Sequence, residues 1–317
     1  MKVAASILFD ASYTECALLT AFELLHRSNK FHSIYLLYLS SDEPQDQQAQ
    51  ELLSTFCARF QGQVPVHAIS VKNTLNTFQA YHFNNSIIYK ALIPSLLPHE
   101  PYILNIDAGI LLGQRFDAFV DNFIDSHCTD DSQWILSAHC IDPVINMPDT
   151  LAHMPRNSLY PAGAIFFFHT ANYLSRNWFE RYIHNFNHLQ SILHYAEQEL
   201  ICLTALDGEL RELPFFKDIH VRTLGADVLN NTQEPLTASD AEDCVFFKFA
   251  GSFKPWKYWV LDPNKAIYIR RRQDLEQQFT LSGHGLIEHH RELAPRTDWA
   301  RLYQQAYELY LARNLKS

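Results

Sequence analysis

The chain has 317 residues, of which 47% are hydrophobic and 13% aromatic, and its formal net charge is −10. This length and composition suit one large folded domain, with or without a small appendage, and they argue against a disordered chain. The acidic balance disfavours broad binding to nucleic acid. Apolar runs fall short of the roughly 18 residues that a transmembrane helix needs, so we expect no membrane span.

Charge and cysteine usage indicate the compartment. Residues 251–317 carry a net charge of +4, and the remainder carries −14. The six cysteines lack Cys-x-x-Cys spacing, and the first ten residues are typical of a strand and not of a signal peptide, so we expect reduced thiols in a cytoplasmic protein. The basic, aromatic tail either lies at the inner face of an anionic membrane or is a solvated helical face.

Apolar runs that suit buried strands alternate with helical patterns along the chain. The predicted strands are Val3–Phe9, Ser33–Leu39, Val66–Ser70, Tyr102–Ile106, Trp134–Ala138 and Ala164–Phe168, and the predicted helices are Tyr13–His26, Gln45–Arg59, Ile87–Leu97, Asn172–Asn187 and Ser191–Leu206. This alternation predicts an α/β domain with a mixed, mainly parallel sheet flanked by helices. We expect this domain to span residues 1–273, followed by a helical tail over residues 274–317.

Two carboxylates follow predicted strands directly. Asp10 comes after the first strand, and Asp107 comes after Tyr102–Ile106. Ligands of parallel sheets bind beyond the carboxyl ends of the strands, so these two side chains are candidates for a binding site. With nine glycines in the chain, a phosphate-binding loop or a Gly-x-Gly-x-x-Gly fingerprint is excluded.

The segment Phe246–Trp256 carries the most informative motif. Its Gly251, Lys254 and following Pro-Trp resemble the His-x-x-Gly-x-x-Lys-Pro-Trp signature of bacterial glycosyltransferase family 8. That family includes lipopolysaccharide galactosyltransferases and glycogenin, and the resemblance implies a Rossmann-like GT-A fold. In the family the His of this signature is a manganese ligand, and Lys248 takes its place here.

A second segment, Tyr102–Leu112, resembles the family's strand that ends in Asp-x-Asp. Asp107 matches the first Asp, and Gly109 replaces the second. Two of the family's metal ligands are therefore missing together. The match is to a divergent member.

Further segments follow in the family's order. Asp10 and Tyr13 resemble the pair that holds uracil, the Tyr by stacking on the base. Lys90 replaces the Arg that supports the donor site, although Lys cannot form the bidentate contacts of Arg. His82 lies where some members have a pocket His.

The resemblance also implies a sugar pocket. Tyr160–Gly163 resembles Phe-Asn-Ala-Gly, with Pro161 replacing the sugar-binding Asn and with Ala162 and Gly163 retained. Pro214 resembles the proline before the acceptor-side loop. The triplet Glu197–Glu199 resembles Asp-Gln-Asp. By the resemblance, Glu197 binds sugar hydroxyls and Gln198 lies beside the anomeric carbon.

The altered metal ligands predict a different way to stabilise the diphosphate. A hard divalent cation usually needs more than one carboxylate. Two unit positive charges about 4 Å apart repel by roughly 4 kcal/mol at an effective dielectric of 20, so a lysine at position 248 disfavours a cation there. Lys248 and Lys254 together supply two positive charges, and ammonium groups bind phosphate well. Our hypothesis is that they replace the metal, with Asp107 orienting Lys248 or binding hydroxyls, so we expect no metal and no cofactor beyond the donor.

The resemblance implies a retaining transferase that moves a hexosyl unit from a UDP-sugar to a glycan or glycolipid, such as a lipopolysaccharide or capsule intermediate. Glu197, Gln198 and Asp107 are the expected catalytic residues. Two alternatives stay open: a transferase of the same fold that uses a CMP-sugar or another nucleotide-sugar, and a non-catalytic relative that binds a nucleotide.

Overall fold

The main element of the fold is a twisted central sheet. The computed structural model describes residues 2–41, 44–62, 64–72, 86–128, 133–141, 159–193, 197–213, 221–223, 243–250 and 265–279. The strands in these ranges are β1 (Val3–Phe9), β2 (Phe31–Ser40), β3 (Val66–Lys72), β4 (Tyr102–Ile106), β5 (Leu111–Leu112), β6 (Leu136–Ile141), β7 (Tyr160–His169), β8 (Leu210–Glu212), β9 (Val221–Thr223) and β10 (Phe246–Ala250).

Seven of the described strands form the large sheet in the order β3-β2-β1-β4-β7-β6-β8. The pairs β3–β2, β2–β1, β1–β4 and β6–β8 are parallel, whereas β7 runs antiparallel to both of its neighbours. A small second sheet has β10 in its centre, antiparallel to β5 and parallel to β9. The prediction of a mixed, mainly parallel α/β sheet is confirmed.

Helices cover both faces of the large sheet. In the described ranges they are α1 (Thr14–Arg27), α2 (Pro44–Arg59), α3 (Ser86–Tyr89), α4 (Ile93–Leu96), α5 (Phe116–His127), α6 (Thr170–Ser175), α7 (Trp178–Leu189), α8 (Glu197–Thr204) and α9 (Lys265–Gln278). Two short 3-10 helices cover Ala11–Tyr13 and Lys90–Leu92.

Two predicted helices are interrupted. The predicted helix Ile87–Leu97 is α3, a 3-10 turn and α4, because Pro94 at the start of α4 has no N–H to continue the earlier hydrogen bonds. The predicted helix Asn172–Asn187 divides into α6 and α7 at Asn177, whose φ of 48° lies in the left-handed region that Asn tolerates better than most residues. The prediction Ser191–Leu206 holds from Glu197 onwards.

The core lies on both faces of the sheet. All seven residues of β1 are buried, with Ala5, Ile7 and Phe9 in the cluster on one face and Ala4 and Leu8 in the cluster on the other. Each fully buried large apolar side chain contributes about 1.5–3 kcal/mol of transfer free energy. Burial on both faces explains why the central strands are mainly apolar and do not alternate between apolar and polar residues.

The last described helix, α9, packs on α1. Arg271 donates to Glu23 Oε1 over 3.4 Å, and both side chains are buried. Helix α9 spans position 274, and the tail predicted for 274–317 stays a prediction because residues 280–317 lie outside the described ranges. Its membrane contact stays a prediction too. Among the described helices we find none with the length and apolar character to cross a membrane.

Candidate active site

The candidate site lies at the carboxyl ends of β1 and β4. Asp10 ends β1 and accepts hydrogen bonds from the backbone N–H (3.0 Å) and hydroxyl (2.6 Å) of Ser12, so it caps the following 3-10 helix. Burial raises the pKa of Tyr13, with smaller contributions from Cys16, Asp10 and Asp107. Tyr13 is therefore within electrostatic reach of both strand-end carboxylates.

Asp107 has an ammonium group on each of its carboxylate oxygens. Lys90 Nζ lies 2.6 Å from Oδ1, and Lys248 Nζ donates to Oδ2. The backbone N–H of Asp107 donates to the carbonyl of Ala164 on β7 (3.0 Å), which fixes the position of the loop. Burial works against ionisation of Asp107, but Lys248 and Lys90 outweigh it and lower the pKa of Asp107. Asp107 is thus held as a carboxylate.

Lys90 is buried, with 7% of its surface exposed, and it joins two carboxylates. Besides Asp107, it donates to Glu197 Oε1 (3.0 Å) and to the Gly163 carbonyl (2.9 Å). These three acceptors match the three protons of an ammonium group. Burial lowers the pKa of Lys90, but the two carboxylates raise it above its usual value. Lys90 therefore stays charged and fully engaged by the protein.

Glu197 is the first residue of α8 and is 6% exposed. Its Oε1 accepts from Lys90, whereas its Oε2 has no hydrogen-bond partner among the described residues. Burial is the main cause that raises the pKa of Glu197 to about 7; Lys90 opposes this change and Asp107 adds to it. Burial therefore favours the neutral acid form of Glu197 more than that of an ordinary glutamate.

Gly163 on β7 makes room for Glu197. A Cβ atom at this position would lie 2.0 Å from Glu197 Oε1, far inside van der Waals contact. A side chain at this position would therefore displace the carboxyl end of Glu197. It also brings the Gly163 carbonyl to Lys90.

We expect Gly163→Ala to lower the free energy of unfolding by about 1–3 kcal/mol, because the new methyl group displaces Glu197 from Lys90. Denaturant unfolding measures this difference. Gly62→Ala is the matched control, because a Cβ atom there has no atom within 4 Å, and it should change the free energy by less than about 0.5 kcal/mol. Equal stability of the two variants contradicts the crowding at Gly163.

Lys248 reaches Asp107 from the small sheet. Strand β10 pairs with β5, which follows Asp107 closely in the chain, and Phe247 lies opposite Leu111 in that pairing. The next residue, Lys248, has a side chain that is 21% exposed. Unlike Lys90, Lys248 is therefore in a position to contact a ligand.

Gly109 adopts a conformation that suits glycine. Its φ is 88°, and its N–H donates to Thr20 Oγ1 (2.9 Å), which holds the loop against α1. Glycine visits this left-handed region without steric cost. The position therefore supports the loop and offers no side chain to a ligand.

These residues do not fit the manganese ion that the resemblance implies. Both oxygens of Asp107 accept from ammonium groups, Gly109 has no ligand atom, and Lys248 adds a positive charge where a cation would sit. Across the described ranges, His, Cys, Asp and Glu form no group of three or more that could hold a metal ion.

The structure brings most of the described site residues together. Asp107, Lys90, Glu197, Gly163 and Lys248 form one connected cluster. Others lie near it or elsewhere on its elements: Asp10 and Tyr13 at the end of β1, Gln198 half-buried on α8, and Ala162 half-buried on β7. Four predicted residues lie outside the described ranges: His82, Pro214, Gly251 and Lys254.

One contributor escaped sequence reasoning. Lys90 Nζ lies 5.6 Å from the centre of the Phe166 ring on β7. A cation near an aromatic face is stabilised by about 0.5–2 kcal/mol. An apolar strand residue gives no sequence signal for such a contact.

Comparisons with known proteins agree with this arrangement of elements. No protein-family model and no curated protein matches the chain. Several solved structures do match. The galactosyltransferase LgtC in complex with donor and acceptor sugar analogs has a TM-score of 0.62 and 12% identity, and the match covers 87% of this chain and 100% of that chain. The bifunctional glycosyltransferase WbbM has a TM-score of 0.59 and 16% identity, with 87% of this chain and 51% of that chain covered, and the glycosyltransferase GlyE of Streptococcus pneumoniae TIGR4 has a TM-score of 0.56 and 13% identity, with 86% and 60% covered. At such identities the likeness shows the fold alone, and the chain has the GT-A-like fold of these glycosyltransferase structures.

Proposed function

We propose that this protein is a retaining glycosyltransferase that moves a hexosyl unit from a UDP-sugar to a glycan or glycolipid, of the lipopolysaccharide or capsule type, without a divalent metal. The observation that carries the proposal is the pairing of Asp107 with two lysines at the carboxyl ends of the strands. Ligands of open α/β sheets bind at this edge. LgtC, which shares the fold, has been solved with donor and acceptor sugar analogs, and that observation supports a donor and an acceptor here.

Lys248 supplies the charge that the reaction needs at the diphosphate. Transfer from a nucleotide-sugar places growing negative charge on the leaving phosphates, and fixed positive groups in a poorly solvated site stabilise that charge. Lys248 donates one hydrogen bond to Asp107. Among the described residues no further acceptor contacts its partly exposed ammonium group, so two N–H groups are available for phosphate oxygens. Lys254, by the resemblance, contributes a second positive charge.

Asp107 and Lys90 orient this cation. Lys90 contacts Oδ1 of Asp107, and this contact keeps Oδ2 directed at Lys248. Lys90 already donates to three protein acceptors, so it positions Asp107 and Glu197 and does not contact the phosphates. Lys248 makes the contact with the phosphates. A positioned ammonium group loses little entropy when the substrate binds.

The same cluster suits a reaction without a covalent intermediate. Gln198 is a poor nucleophile, and Glu197 is buried with a raised pKa, so neither side chain favours attack on the sugar. We propose front-face attack, in which a donor phosphate oxygen takes the acceptor's proton. The protein contributes positioning and electrostatic stabilisation.

Hydrolysis and transfer in the presence of EDTA test the proposal. The purified protein is treated with chelator and assayed with a panel of UDP-sugars and CMP-sugars, and the anomeric configuration of the product is read by NMR. We expect a UDP-sugar to be consumed at the same rate with and without EDTA, with retention. Activity that disappears with EDTA and returns with Mn²⁺ contradicts metal independence. Turnover of a CMP-sugar in place of a UDP-sugar contradicts the proposed donor. Binding without turnover across the panel contradicts the proposal that the protein is an enzyme.

A further inference from the structure

The buried cluster is balanced in charge. It contains two lysines, Lys90 and Lys248, and two carboxyl groups, Asp107 and Glu197, bridged in one chain by Lys90. With both carboxyl groups ionised the net charge is zero. An incoming diphosphate at Lys248 therefore adds negative charge that the described cluster does not compensate.

Glu197 and Asp107 differ in how well their charges are held. Asp107 accepts from two ammonium groups and is stabilised as an anion. Glu197 shares Lys90 with Asp107 and the Gly163 carbonyl, and its Oε2 is buried without a hydrogen-bond partner among the described residues. An ionised carboxylate is costly in such a position, whereas the neutral acid is not. Glu197 is the weaker of the two anions.

The other described groups that face Glu197 do not change their protonation near pH 7. Burial raises the pKa of Tyr182 on α7 well above the neutral range, and the charge of Glu197 raises it further. Strand β7 contributes Gly163, which has no side chain to titrate. Lys90, from the 3-10 helix, stays protonated because its pKa is raised. Within the described residues, Glu197 is the group of this cluster that can change its protonation near pH 7.

We infer that Glu197 takes up one proton when a nucleotide-diphosphate ester binds, so that the bound donor faces a neutral carboxylic acid at this position. The inference rests on the proposed function, because it requires a diphosphate beside Lys248. The proton comes from the solvent and forms the O–H bond of the acid, and the ligand keeps its charge throughout. Protonation removes the negative charge of Glu197 and excludes it as a nucleophile.

The direction of the pH effect follows from linkage. In the free protein the pKa of Glu197 is about 7, and the added negative charge raises it further. Above pH 7 Glu197 must take up a proton from the solvent when the ligand binds, so the affinity for the ligand falls as pH rises. Below pH 7 the acid is already protonated and the affinity changes little. The dissociation constant should rise by up to about tenfold per pH unit above neutrality.

Calorimetric titration with UDP-galactose and UDP-glucose measures this uptake. These diphosphate esters lack the terminal phosphate proton that titrates near about pH 6 in monoesters, so the ligand does not contribute. The titration is run at about pH 7.5 in HEPES and in Tris, which differ in ionisation enthalpy, and the difference in observed heat gives the protons taken up. We expect more than about half a proton per bound ligand.

Glu197→Gln isolates the group, because glutamine resembles the neutral acid in shape and hydrogen bonding. This variant should bind with a dissociation constant independent of pH between about pH 7 and 8.5 and without proton uptake. Glu180→Gln, an exposed position on α7, removes the same charge and should keep the behaviour of the wild type.

The outcomes distinguish a failure of the Glu197 assignment from a failure of the proposed function. Binding of the esters by the wild type without proton uptake overturns the assignment of Glu197 and leaves the proposed function standing. Uptake that persists in Glu197→Gln also overturns the assignment, because another group then carries the proton. Failure of all UDP esters to bind contradicts the proposed donor and, with it, this inference.

Discussion

Lys248→Met is expected to lower kcat/KM for donor cleavage by about 100- to 1,000-fold in the presence of EDTA, with a small effect on stability. Methionine keeps most of the apolar stem and removes the ammonium group that faces the diphosphate in our proposal. Loss of one preorganised donor to a developing oxyanion typically has this magnitude. Initial rates of UDP-sugar consumption, with the free energy of unfolding measured in parallel, give both quantities. Because the interaction strengthens in the transition state, kcat should fall more than KM rises.

Two further variants control for non-specific effects of charge. Lys72→Met removes an equal charge from the exposed carboxyl end of the edge strand β3, and it should change kcat/KM by less than about twofold because surface charges are screened. Lys248→Arg keeps the charge in a different shape and should retain part of the activity. Turnover by Lys248→Met at the wild-type rate contradicts catalysis by the Lys248 ammonium group. So does a wild-type activity that is lost in EDTA and restored by Mn²⁺.

The central strands could be predicted from the sequence because they are buried on both faces. Val3–Phe9 and Tyr102–Ile106 are apolar runs interrupted by one polar residue each, Ser6 and Asn105, and the structure has strands with these bounds. Each run ends at a carboxylate, so the parallel pairing of β1 with β4 brings Asp10 and Asp107 to one edge. The same pattern predicts the position of the candidate site.

The short elements gave less information. Strands β5, β8 and β9 have two or three residues, which is too few for any periodicity. Helix α5 is different, because its buried residues recur at helical spacing: Phe116, Phe119, Val120, Phe123, Ile124 and His127. This helix was not among the predicted elements, although the pattern was available from the sequence.

The chemistry of the cluster required three dimensions. The sequence pointed to Lys90 and Glu197 separately, but they are 107 positions apart and nothing in either segment indicates that they form an ion pair. Lysine is rarely buried, so no sequence signal indicates that Lys90 is enclosed by protein acceptors. The close packing of Gly163 on Glu197, which sets this geometry, depends on how β7 and α8 meet.

Lys90→Met should destabilise the fold by about 3–5 kcal/mol, because it removes the shared partner of two buried carboxyl groups. Asp107 retains Lys248, whereas Glu197 loses the one ammonium group that contacts it among the described residues. For a chain of 317 residues, we expect the melting temperature to fall by roughly 5–8 °C. Chemical denaturation and thermal melting measure the change.

The pH dependence of this loss distinguishes a charge effect from a packing effect. Without Lys90, which holds the pKa of Glu197 down, that pKa rises above about 7, so the folded state binds a proton that the unfolded state releases. Stability of the variant therefore falls as pH rises, and the loss should be larger at about pH 8 than at about pH 6. Lys90→Met combined with Glu197→Gln should recover part of the stability, because no unpaired charge remains on Glu197. Lys30→Met, which removes a surface pair with Asp121, should cost less than about 1 kcal/mol. A loss in Lys90→Met that is equally small and does not change with pH contradicts a buried charge cluster organised by Lys90.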